Sequence, residues 1–332
     1  MRAVICRSFS GIDALEFGEL ADPVPGPGQV LVDVHAAALS FMDTLMVAGR
    51  YQMKPALPFV PGSDAAGIVL AVGDGVERVR VGDRVASSHW HGGMAERMLA
   101  PESGVTTLPD SVGFEVGSTV RYAYGTAHYA LATRAGLRPG ETVFVSGAAG
   151  GVGMAAVDVA RQIGATVIAG TSSTARNEVA RNQGAAHAID YSCEPVRDRL
   201  LELTQGRGVD VYFDNVGGPL FGTVSRAMAW GGRMLPIGFT SGEIPSLAMN
   251  LPLLKNYSVV GCYWGAWVER QPQQSRAADE QLFAAVGQGL LRPRVSDVLP
   301  MASFADGLQR LARRQATARI VLRVKESADV LA

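Results

Sequence analysis

The stretch VSGAAGGVG, from Val145 to Gly153, has the composition of a turn that cradles phosphate groups. On the pattern G-x-G-x-x-G, Gly150 takes the second position, Gly153 takes the third, and Ala148 stands in the first. The second glycine lets the backbone approach a pyrophosphate, and the third lets the helix pack closely on the strand. The first makes a tight turn, where a methyl group is tolerated best. A purely structural turn is the alternative, but the strand before the motif and the helix after it favour a dinucleotide site.

The segment Ala165–Asn177 indicates which dinucleotide is bound. NAD-selective sites usually carry an Asp or Glu about twenty residues after the turn, where it binds the ribose hydroxyls. This segment contains no acidic residue and offers Ser172, Ser173 and Arg176 instead. Hydroxyl and guanidinium groups suit a 2′-phosphate. Arg176 as a solvated helix residue is the plain alternative. The sequence therefore predicts NADPH as the cofactor.

The tripeptide HWH at residues 89–91 has two imidazoles at i and i+2, which share one face of a strand. A zinc site needs a closed set of thiolate, imidazole or carboxylate ligands, and no third ligand stands at a diagnostic spacing. We therefore expect ordinary polar or packing roles for these histidines, and we predict no metal site.

Composition limits the classes of function. The 332 residues suffice for two domains, and a net charge of −1 favours neither nucleic acid nor an anionic membrane as partner. The apolar run Ser258–Val268 is too short to span a bilayer, and the N-terminal segment does not have the pattern of a signal peptide. The three scattered cysteines indicate free thiols in a reducing compartment. We therefore expect a cytoplasmic protein.

The elements that must position these residues follow two rhythms. The first third is β-rich, with strands predicted at Gly28–Ser40, Ala65–Gly73 and Val79–Ser88, separated by glycine-rich turns. In the first of these strands, Val30, Val32 and Val34 alternate on one face. Short strands punctuated in this way are typical of a small barrel or sandwich.

From about Gly140 strands alternate with helices, which predicts βαβ units and a parallel sheet. The strands are predicted at Glu141–Gly147, Ala165–Gly170, Ala186–Tyr191, Gly208–Val216, Gly231–Gly238 and Asn256–Trp264. The helices are predicted at Met154–Gly164, Thr174–Ala185, Glu194–Gln205 and Phe221–Trp230. Beyond Val268, helices at Ala277–Leu291 and Ser303–Arg314 lead to a last strand, Ala318–Val324.

Several segments together resemble one family. GQVLVDVHAAALSFMDTLMVAGRY, LPFVPGSDAAGIVLAVGDGV, VGDRV, AAGGVG, VYFDNVGG and IGFTSG occur in this order in the medium-chain dehydrogenase/reductase superfamily, and the set is most similar to its quinone oxidoreductase branch, the relatives of zeta-crystallin. The resemblance implies an α/β fold with a GroES-like catalytic domain (1–122 and 268–332) and a Rossmann NADPH-binding domain (123–267). It also implies a homodimer in which Asn256–Trp264 pairs across a two-fold axis.

Zinc-dependent members bind the catalytic metal through a Cys, a His–Glu pair and a later Cys or Asp. The matching positions here are Ser40, the pair Ser63–Asp64, and Ala123. Serine and alanine are poor zinc ligands, and one aspartate cannot hold the metal alone. The four closely spaced cysteines of the structural zinc lobe are missing as well. The resemblance therefore implies a zinc-free member.

The resemblance also assigns cofactor-binding residues by motif. The pyrophosphate contacts correspond to Ala149, Gly150, Gly151 and Val152, and the surroundings of the 2′-phosphate to Gly170, Ser173, Arg176 and Tyr191. The rest of the cofactor would lie against Asn215, Gly238, Phe239 and Tyr263, with Thr126 near the nicotinamide. Phe239 and Tyr263 could equally be core aromatics, and Asn215 a turn former.

Without zinc to polarise a carbonyl, the acceptor must already be electrophilic. Quinones qualify, and so do enones and enoyl thioesters attacked at the β-carbon. Relatives often carry Asn at the position of Ser40 and Tyr at that of Leu45, so this chain departs from the family's pattern at both places. Tyr51 and Ser40 are the remaining candidates for a catalytic role. We predict an NADPH-dependent quinone reductase; the alternatives are a double-bond reductase and a non-catalytic NADPH-binding protein.

Overall fold

The computed structural model describes residues 1–325, which divide into two compact units. Within the described residues, the β-rich unit contains Met1–Tyr122, Val268–Gly289 and residues 293–325. The parallel-sheet unit contains Ala123–Trp267 and Leu290–Arg292. No helix of the described part is long and apolar enough to cross a membrane.

The secondary-structure elements are as follows. The strands are β1 (Arg2–Cys6), β2 (Leu15–Glu19), β3 (Gln29–Ala38), β4 (Asp64–Val72), β5 (Arg84–Ser88), β6 (Arg97–Pro101), β7 (Val105–Thr107), β8 (Thr142–Ser146), β9 (Thr166–Thr171), β10 (His187–Asp190), β11 (Val209–Asp214), β12 (Met228–Pro236), β13 (Ser258–Val259), β14 (Val295–Pro300) and β15 (Arg319–Arg323). The helices are α1 (Phe41–Val47), α2 (Phe114–His128), α3 (Gly151–Ile163), α4 (Thr174–Gln183), α5 (Val196–Leu203), α6 (Gly218–Ser225), α7 (Asn250–Lys255), α8 (Trp264–Arg270), α9 (Pro272–Gly287) and α10 (Phe304–Ala312). A π-helical segment, Tyr129–Arg134, follows α2.

The β-rich unit is built on one largely antiparallel sheet with strand order β14-β15-β3-β4-β5-β7, and β6 also pairs with β3. Strands β1 and β2 form a separate antiparallel pair. Val30, Val32 and Val34 are fully buried as predicted, but Leu31 and residues 35–38 are buried too, so β3 is covered on both faces and is not the half-buried strand predicted from the alternation. The core of this unit therefore lies against the longest strand, β3.

A buried ion pair ties the late segment of the β-rich unit to its early strands. Arg121 Nε donates to Asp279 Oδ2 of α9 at 2.9 Å, and its terminal nitrogens donate to the carbonyls of Ser88, Ser103 and Gly104. Both charged side chains are almost fully buried. Helix α9 is thereby fixed beside the end of β5.

The parallel-sheet unit has six parallel strands in the order β10-β9-β8-β11-β12-β13. This order is the doubly wound Rossmann arrangement. Successive strands are added from β8 outward to β10, and then on the other side of β8 from β11 outward to β13, so the strand order reverses between β8 and β11. Ligands of such sheets bind beyond the carboxyl ends of the strands at that point. The predicted fold class, a GroES-like β-rich domain with a Rossmann domain, is confirmed.

Two strand predictions and one helix prediction need correction. Strand β5 begins only at Arg84, since the preceding residues form a turn around Gly82, whose φ is 93°. The helix predicted at 221–230 ends at Ser225, and Met228 already pairs with β11. The strand predicted at 256–264 is reduced to the two residues of β13, and helix α8 begins at Trp264.

The short helices α1, α7 and α8, and helix α2, were not predicted, and α9 begins five residues before the predicted start. Residues 290–292, assigned from sequence to the catalytic domain, group with the parallel-sheet unit instead. The physical reason is a set of hydrogen bonds: the backbone N–H of Arg292 donates to Asp158 Oδ2 at 2.6 Å, and Arg161 donates to the carbonyl of Leu290 at 2.7 Å.

Candidate functional site

The glycine turn lies between β8 and α3, at the carboxyl end of a central strand. The residue with left-handed backbone is Gly147, with φ of 64°, one position before Ala148. The Ala148 methyl is buried, and its N–H donates to the carbonyl of Gly170 at 3.1 Å. The tight turn is therefore made by Gly147, a role that the motif alignment had given to Ala148.

Gly153 must be a glycine because the backbone comes too close for any side chain. A Cβ at this position would lie 2.1 Å from the carbonyl oxygen of Gly147. Gly170 on β9 is constrained in a similar way, since a Cβ there would lie 2.6 Å from Cζ of Phe144. The helix consequently packs directly on the turn, and its amino end is held at the edge of the sheet.

The first turn of α3 provides the donors that a pyrophosphate needs. Gly150 is the N-cap residue, and α3 runs for 13 residues with Gly151 and Val152 half-buried at its start. The first N–H groups of a helix have no acceptor within the helix, and its dipole favours an anion there. Ala149 is buried beneath this turn. The residues present therefore fit a dinucleotide phosphate.

The end of β9 carries the residues predicted to meet the 2′-phosphate. Ser173 caps α4 by accepting the backbone N–H of Arg176 at 3.4 Å. Thr171 orders the same loop, because its hydroxyl donates to Asn177 Oδ1 at 2.8 Å. Ser172 is exposed, while Ser173 and Arg176 are half-buried. The structure thus brings all three predicted side chains to one strand–helix junction.

Tyr191 lies beside this junction because its N–H donates to the carbonyl of Thr171 at 2.9 Å. An acidic residue, Asp190, precedes it and was not considered from the sequence. The Asp190 carboxylate accepts the hydroxyl of Ser192 at 2.6 Å and its N–H at 3.0 Å, and these bonds hold the pKa of Asp190 below its usual range. Its hydrogen bonds are therefore directed into its own loop.

A buried carboxylate joins the ends of β8 and β11. Asp214 accepts the hydroxyls of Ser146 and Tyr212, each at 2.7 Å, and the N–H groups of Val216 at 2.9 Å and Gly217 at 3.1 Å. A buried charge needs this kind of full hydrogen-bonding satisfaction. The sequence analysis missed Asp214 and Ser146; a polar residue directly after each buried strand was the available signal.

This carboxylate fixes the position of Asn215. The Asn215 side-chain amide donates to the carbonyl of Ser146 at 3.1 Å. The main-chain carbonyl of Asn215 accepts the N–H and the hydroxyl of Thr240. Gly238 is bound in turn, since its N–H donates to the Asp214 carbonyl at 3.1 Å. The loops after three neighbouring strands are thus tied together, and Asn215 contributes to that tie as well as to the predicted site.

The aromatic candidates are not core residues. Phe239 is 41% exposed and Tyr263 is 50% exposed, which argues against the plain alternative of packing. Phe239 lies against Gly217, where a Cβ would be 2.9 Å from its Cδ1. Thr126 is buried within α2 and shares none of the hydrogen bonds described above. Phe239 therefore joins the strand-end cluster.

In the β-rich unit, Ser40 is the N-cap of α1 and forms a reciprocal capping box with Asp43. The Ser40 hydroxyl and N–H both donate to Asp43 Oδ2, at 3.0 and 2.7 Å, and the Asp43 N–H donates back to the hydroxyl at 3.3 Å. Asp43 is completely buried, and this burial raises its pKa to about 6. The Ser40 side chain is therefore part of a helix cap.

The second aspartate here is paired with an arginine. Arg319 donates to Asp64 Oδ2 at 2.8 Å, and both side chains are almost fully buried. Burial raises the pKa of Asp64, and the nearby guanidinium of Arg319 opposes that rise. At the positions of the family's zinc ligands, the chain thus has Ser40, Ser63, Asp64 and Ala123. Ser40 caps a helix, and Asp64 is paired with Arg319. This donor set does not fit zinc.

The remaining catalytic candidate, Tyr51, packs against an apolar cluster that includes Met42, Met46 and Phe59. Tyr51 is half-buried, with its ring centroid 6.5 Å from that of Trp90.

The histidines at 89 and 91 lie in a bend after β5 rather than on a strand, yet their rings are only 5.6 Å apart. Within residues 1–325, no group of three or more His, Cys, Asp or Glu side chains could hold a metal ion.

Comparison with known proteins decides the family. The chain is 36% identical to a quinone oxidoreductase-like protein 2 homolog of Nematostella vectensis, over 98% of this chain and 89% of that protein. Residues 26–135 match the model of the alcohol dehydrogenase GroES-like domain, and residues 151–280 that of the zinc-binding dehydrogenase. The chain belongs to the quinone oxidoreductase branch of the medium-chain dehydrogenase/reductase superfamily.

Solved structures of the superfamily have the same fold along nearly the whole chain. A quinone oxidoreductase of Pseudomonas syringae is 31% identical with a TM-score of 0.90, covering 97% of this chain and 99% of that one. A mycobacterial protein solved in complex with NADPH is 29% identical with a TM-score of 0.91, covering 98% and 100%. The family predicted from the sequence motifs is therefore confirmed.

Proposed function

We propose that this protein is a zinc-independent oxidoreductase that transfers hydride from NADPH to quinones. The observation that carries this proposal is the fate of the family's zinc-ligand positions. Ser40 is used in a helix cap, and Asp64 is used in a buried ion pair with Arg319. These side chains are therefore engaged elsewhere and would not hold a polarising metal. An acceptor that already attracts hydride suits such a site.

NADPH is the cofactor, and it supplies the hydride when bound. The chain holds its pyrophosphate with the turn at Ala149–Val152 and the first N–H groups of α3. Ser172, Ser173 and Arg176 bind the 2′-phosphate, with Gly170 and Tyr191 beside them. Asn215, Gly238, Phe239 and Tyr263 line the next part of the cofactor, and Thr126 lies near the nicotinamide.

We assign Ser40 a structural role, since its hydroxyl already donates to Asp43. Tyr51 remains the candidate for orienting the acceptor, because it is half-buried and packs near Trp90. A hydroquinone oxygen can take its proton from water, so the proposal needs no essential acid.

The test is NADPH and NADH oxidation by the purified protein, with 1,4-benzoquinone, 9,10-phenanthrenequinone, cyclohexenone and crotonyl-CoA as acceptors. Turnover with NADPH and quinones, unchanged after chelator treatment and without stoichiometric zinc in the protein, is expected. Turnover confined to the enone or thioester assigns double-bond reduction. Tight NADPH binding without any turnover assigns a non-catalytic role, and a requirement for zinc contradicts the proposal.

The proposal includes a cytoplasmic homodimer. Strand β13 is the edge of the parallel sheet, and apolar side chains are exposed on it and on the preceding helix, namely Val259, Leu253 and Leu254. Unpaired sheet edges with exposed apolar residues are typical interaction surfaces. Light scattering after size exclusion should give twice the chain mass for the wild type and a shift toward monomer for Val259→Arg. A monomeric wild type would remove this part of the proposal.

A further inference from the structure

A buried polar cluster lies where the loops after β8 and β11 meet, and the proposed function gives it no role. Asp214 and its two hydroxyl partners, Ser146 and Tyr212, are fully buried, and both hydroxyls donate to Asp214 Oδ1 at 2.7 Å. Within residues 1–325, every donor to this carboxylate is neutral, and two of them are the N–H groups of Val216 and Gly217. A carboxylate buried without a cation costs stability, and proteins keep such groups mainly at functional sites.

The two hydroxyls reach the carboxylate from different places. Tyr212 lies on β11, two residues before Asp214, so its bond to the carboxylate stays within one strand. Ser146 is the last residue of β8 and stands directly before the glycine turn. Its hydroxyl donates to Asp214 and accepts the N–H of Asn215 at 3.1 Å. Ser146 therefore joins the glycine turn to the loop after β11.

The turn and this loop also contact each other directly. A Cβ added at Gly147 would lie 3.5 Å from side-chain atoms of both Asn215 and Val216. The Asn215 side-chain amide donates to the main-chain carbonyl of Ser146 at 3.1 Å. A shift of either segment would therefore disturb the other.

The loop after β11 holds the loop after β12 in turn. The main-chain carbonyl of Asp214 accepts the N–H of Gly238 at 3.1 Å, and Gly217, with a φ of 69°, lies against Phe239. The pyrophosphate turn is thereby connected through Asp214 to the residues proposed for the next part of the cofactor. The connection stands between β8 and β11, where the strand order reverses and such sheets bind their ligands.

We propose that Ser146 and Asp214 are positioning residues that align the two halves of the NADPH site. This inference deepens the proposed function and rests on its cofactor, not on its acceptor. Both side chains are fully buried, so they act through Asn215 and the glycine turn rather than by contact with the dinucleotide. Their hydrogen bonds set the loop against the turn in advance, so that binding requires little further ordering of the loop.

The test compares two ligands by calorimetric titration. NADPH spans both halves of the site, whereas adenosine 2′,5′-bisphosphate lacks the nicotinamide half. Ser146→Ala should weaken NADPH binding by about tenfold, the effect of one hydrogen bond to a charged group. It should change bisphosphate binding by less than about twofold, because the turn keeps its own bond from the Ala148 N–H to the Gly170 carbonyl.

Ser225→Ala is the matched control. Ser225 is a fully buried serine of the same unit, and its hydroxyl donates to the carbonyl of Gly222 within α6 at 2.7 Å. The same atoms are removed at the same burial, away from the cluster around Asp214. This variant should lower thermal stability as Ser146→Ala does and leave the affinities for both ligands within about twofold of the wild type.

Asp214→Asn tests the carboxylate itself. Asparagine keeps the size of the side chain and one acceptor oxygen, but it lacks the charge that strengthens the hydrogen bonds. NADPH binding should again weaken by about tenfold, and bisphosphate binding by less than about twofold. Thermal unfolding of each variant checks its fold, and either variant alone suffices for the comparison with Ser225→Ala.

The outcomes separate this inference from the proposed function. If the ratio of the two dissociation constants changes as little in Ser146→Ala and Asp214→Asn as in Ser225→Ala, the positioning role is overturned. Equal losses for both ligands also overturn it, since the cluster would then serve only the stability of the fold. Neither result affects the reductase, which fails instead if the wild type binds NADPH and reduces no acceptor. In that case the ratio still decides the positioning role.

Discussion

Two buried carboxylates, Asp214 of the parallel-sheet unit and Asp64 of the β-rich unit, are held in different ways. In the parallel-sheet unit, Asp214 accepts four hydrogen bonds from residues within the ends of two neighbouring strands. In the β-rich unit, Asp64 depends on Arg319, which stands 255 residues away in the sequence. The first arrangement follows from local backbone geometry, whereas the second depends on one distant partner. A site of the second kind is accordingly easier to break with one substitution.

The largest expected effect comes from removing that distant partner. Arg319→Met leaves Asp64 buried without its counter-ion, and the free energy of unfolding should fall by about 3–5 kcal/mol in urea denaturation. Arg310→Met is the matched control, because its pair with Asp297 is partly exposed and should contribute under about 1 kcal/mol. The double variant Asp64→Asn/Arg319→Met should recover part of the loss. Equal effects of the two single arginine variants would remove the distinction between the units.

The next effect depends on pH and concerns Asp43. Its pKa is raised to about 6 in the folded protein, against about 3.9 in an unfolded chain. Between these values the unfolded state releases the proton and the folded state keeps it, so stability falls as pH rises from 4 to 6. Relative to Asp43→Asn, which keeps a capping oxygen, the wild type should lose about 2 kcal/mol over this range. A stability difference that is constant from pH 4 to 7 would contradict the burial argument.

In the parallel-sheet unit, the expected damage is steric. Gly153→Ala places a Cβ 2.1 Å from the Gly147 carbonyl oxygen, so the turn must shift. Overpacking of this kind costs about 1–3 kcal/mol of stability, and calorimetric titration should show at least about tenfold weaker NADPH binding. Gly222→Ala on α6, where a Cβ meets nothing within 4 Å, is the control: it should leave NADPH binding unchanged and should raise stability by up to about 1 kcal/mol, since Ala favours the helix more than Gly does.

The smallest effect concerns cofactor choice. Arg176→Gln should weaken NADPH binding by about tenfold and leave NADH binding unchanged, since a hydrogen bond to a charged group contributes about 1.5 kcal/mol or more. Arg181→Gln, on an exposed arginine of the same helix, should alter neither. Equal losses for both dinucleotides would show that Arg176 stabilises α4 rather than the 2′-phosphate.

The contrast between the units also explains what could be predicted from the sequence. The glycine turn and the alternation of strands and helices are local, so motif spacing was enough to find Gly150, Gly153 and the parallel sheet. The tight turn made by Gly147 was assigned one residue too late, to Ala148, because the spacing of the glycines does not give a φ value. Asp214 was missed although three of its donors lie within three residues of it, because the fourth, Ser146, reaches it only when β8 and β11 pair.

The pairing of Asp64 with Arg319 could not be predicted for the same reason. Sequence comparison identified the lost zinc ligands, but it gave no information on what their neighbours do. The strand predicted at 256–264 failed in another way: its apolar residues mark an exposed sheet edge, and only Ser258 and Val259 enter the ladder. An apolar run indicates that its side chains are buried, but the surface that buries them can belong to another molecule.

The pairing of β15 with β3, which joins Val321 to Ala38, has a consequence for synthesis. A chain leaving the ribosome exposes β3 long before β15 exists, whereas every strand of the parallel sheet has emerged by Val259. Domains generally fold as units during translation. The Rossmann unit can thus close while β3 still has an open edge, which makes that nascent strand the place where chaperones or mispairing would act first.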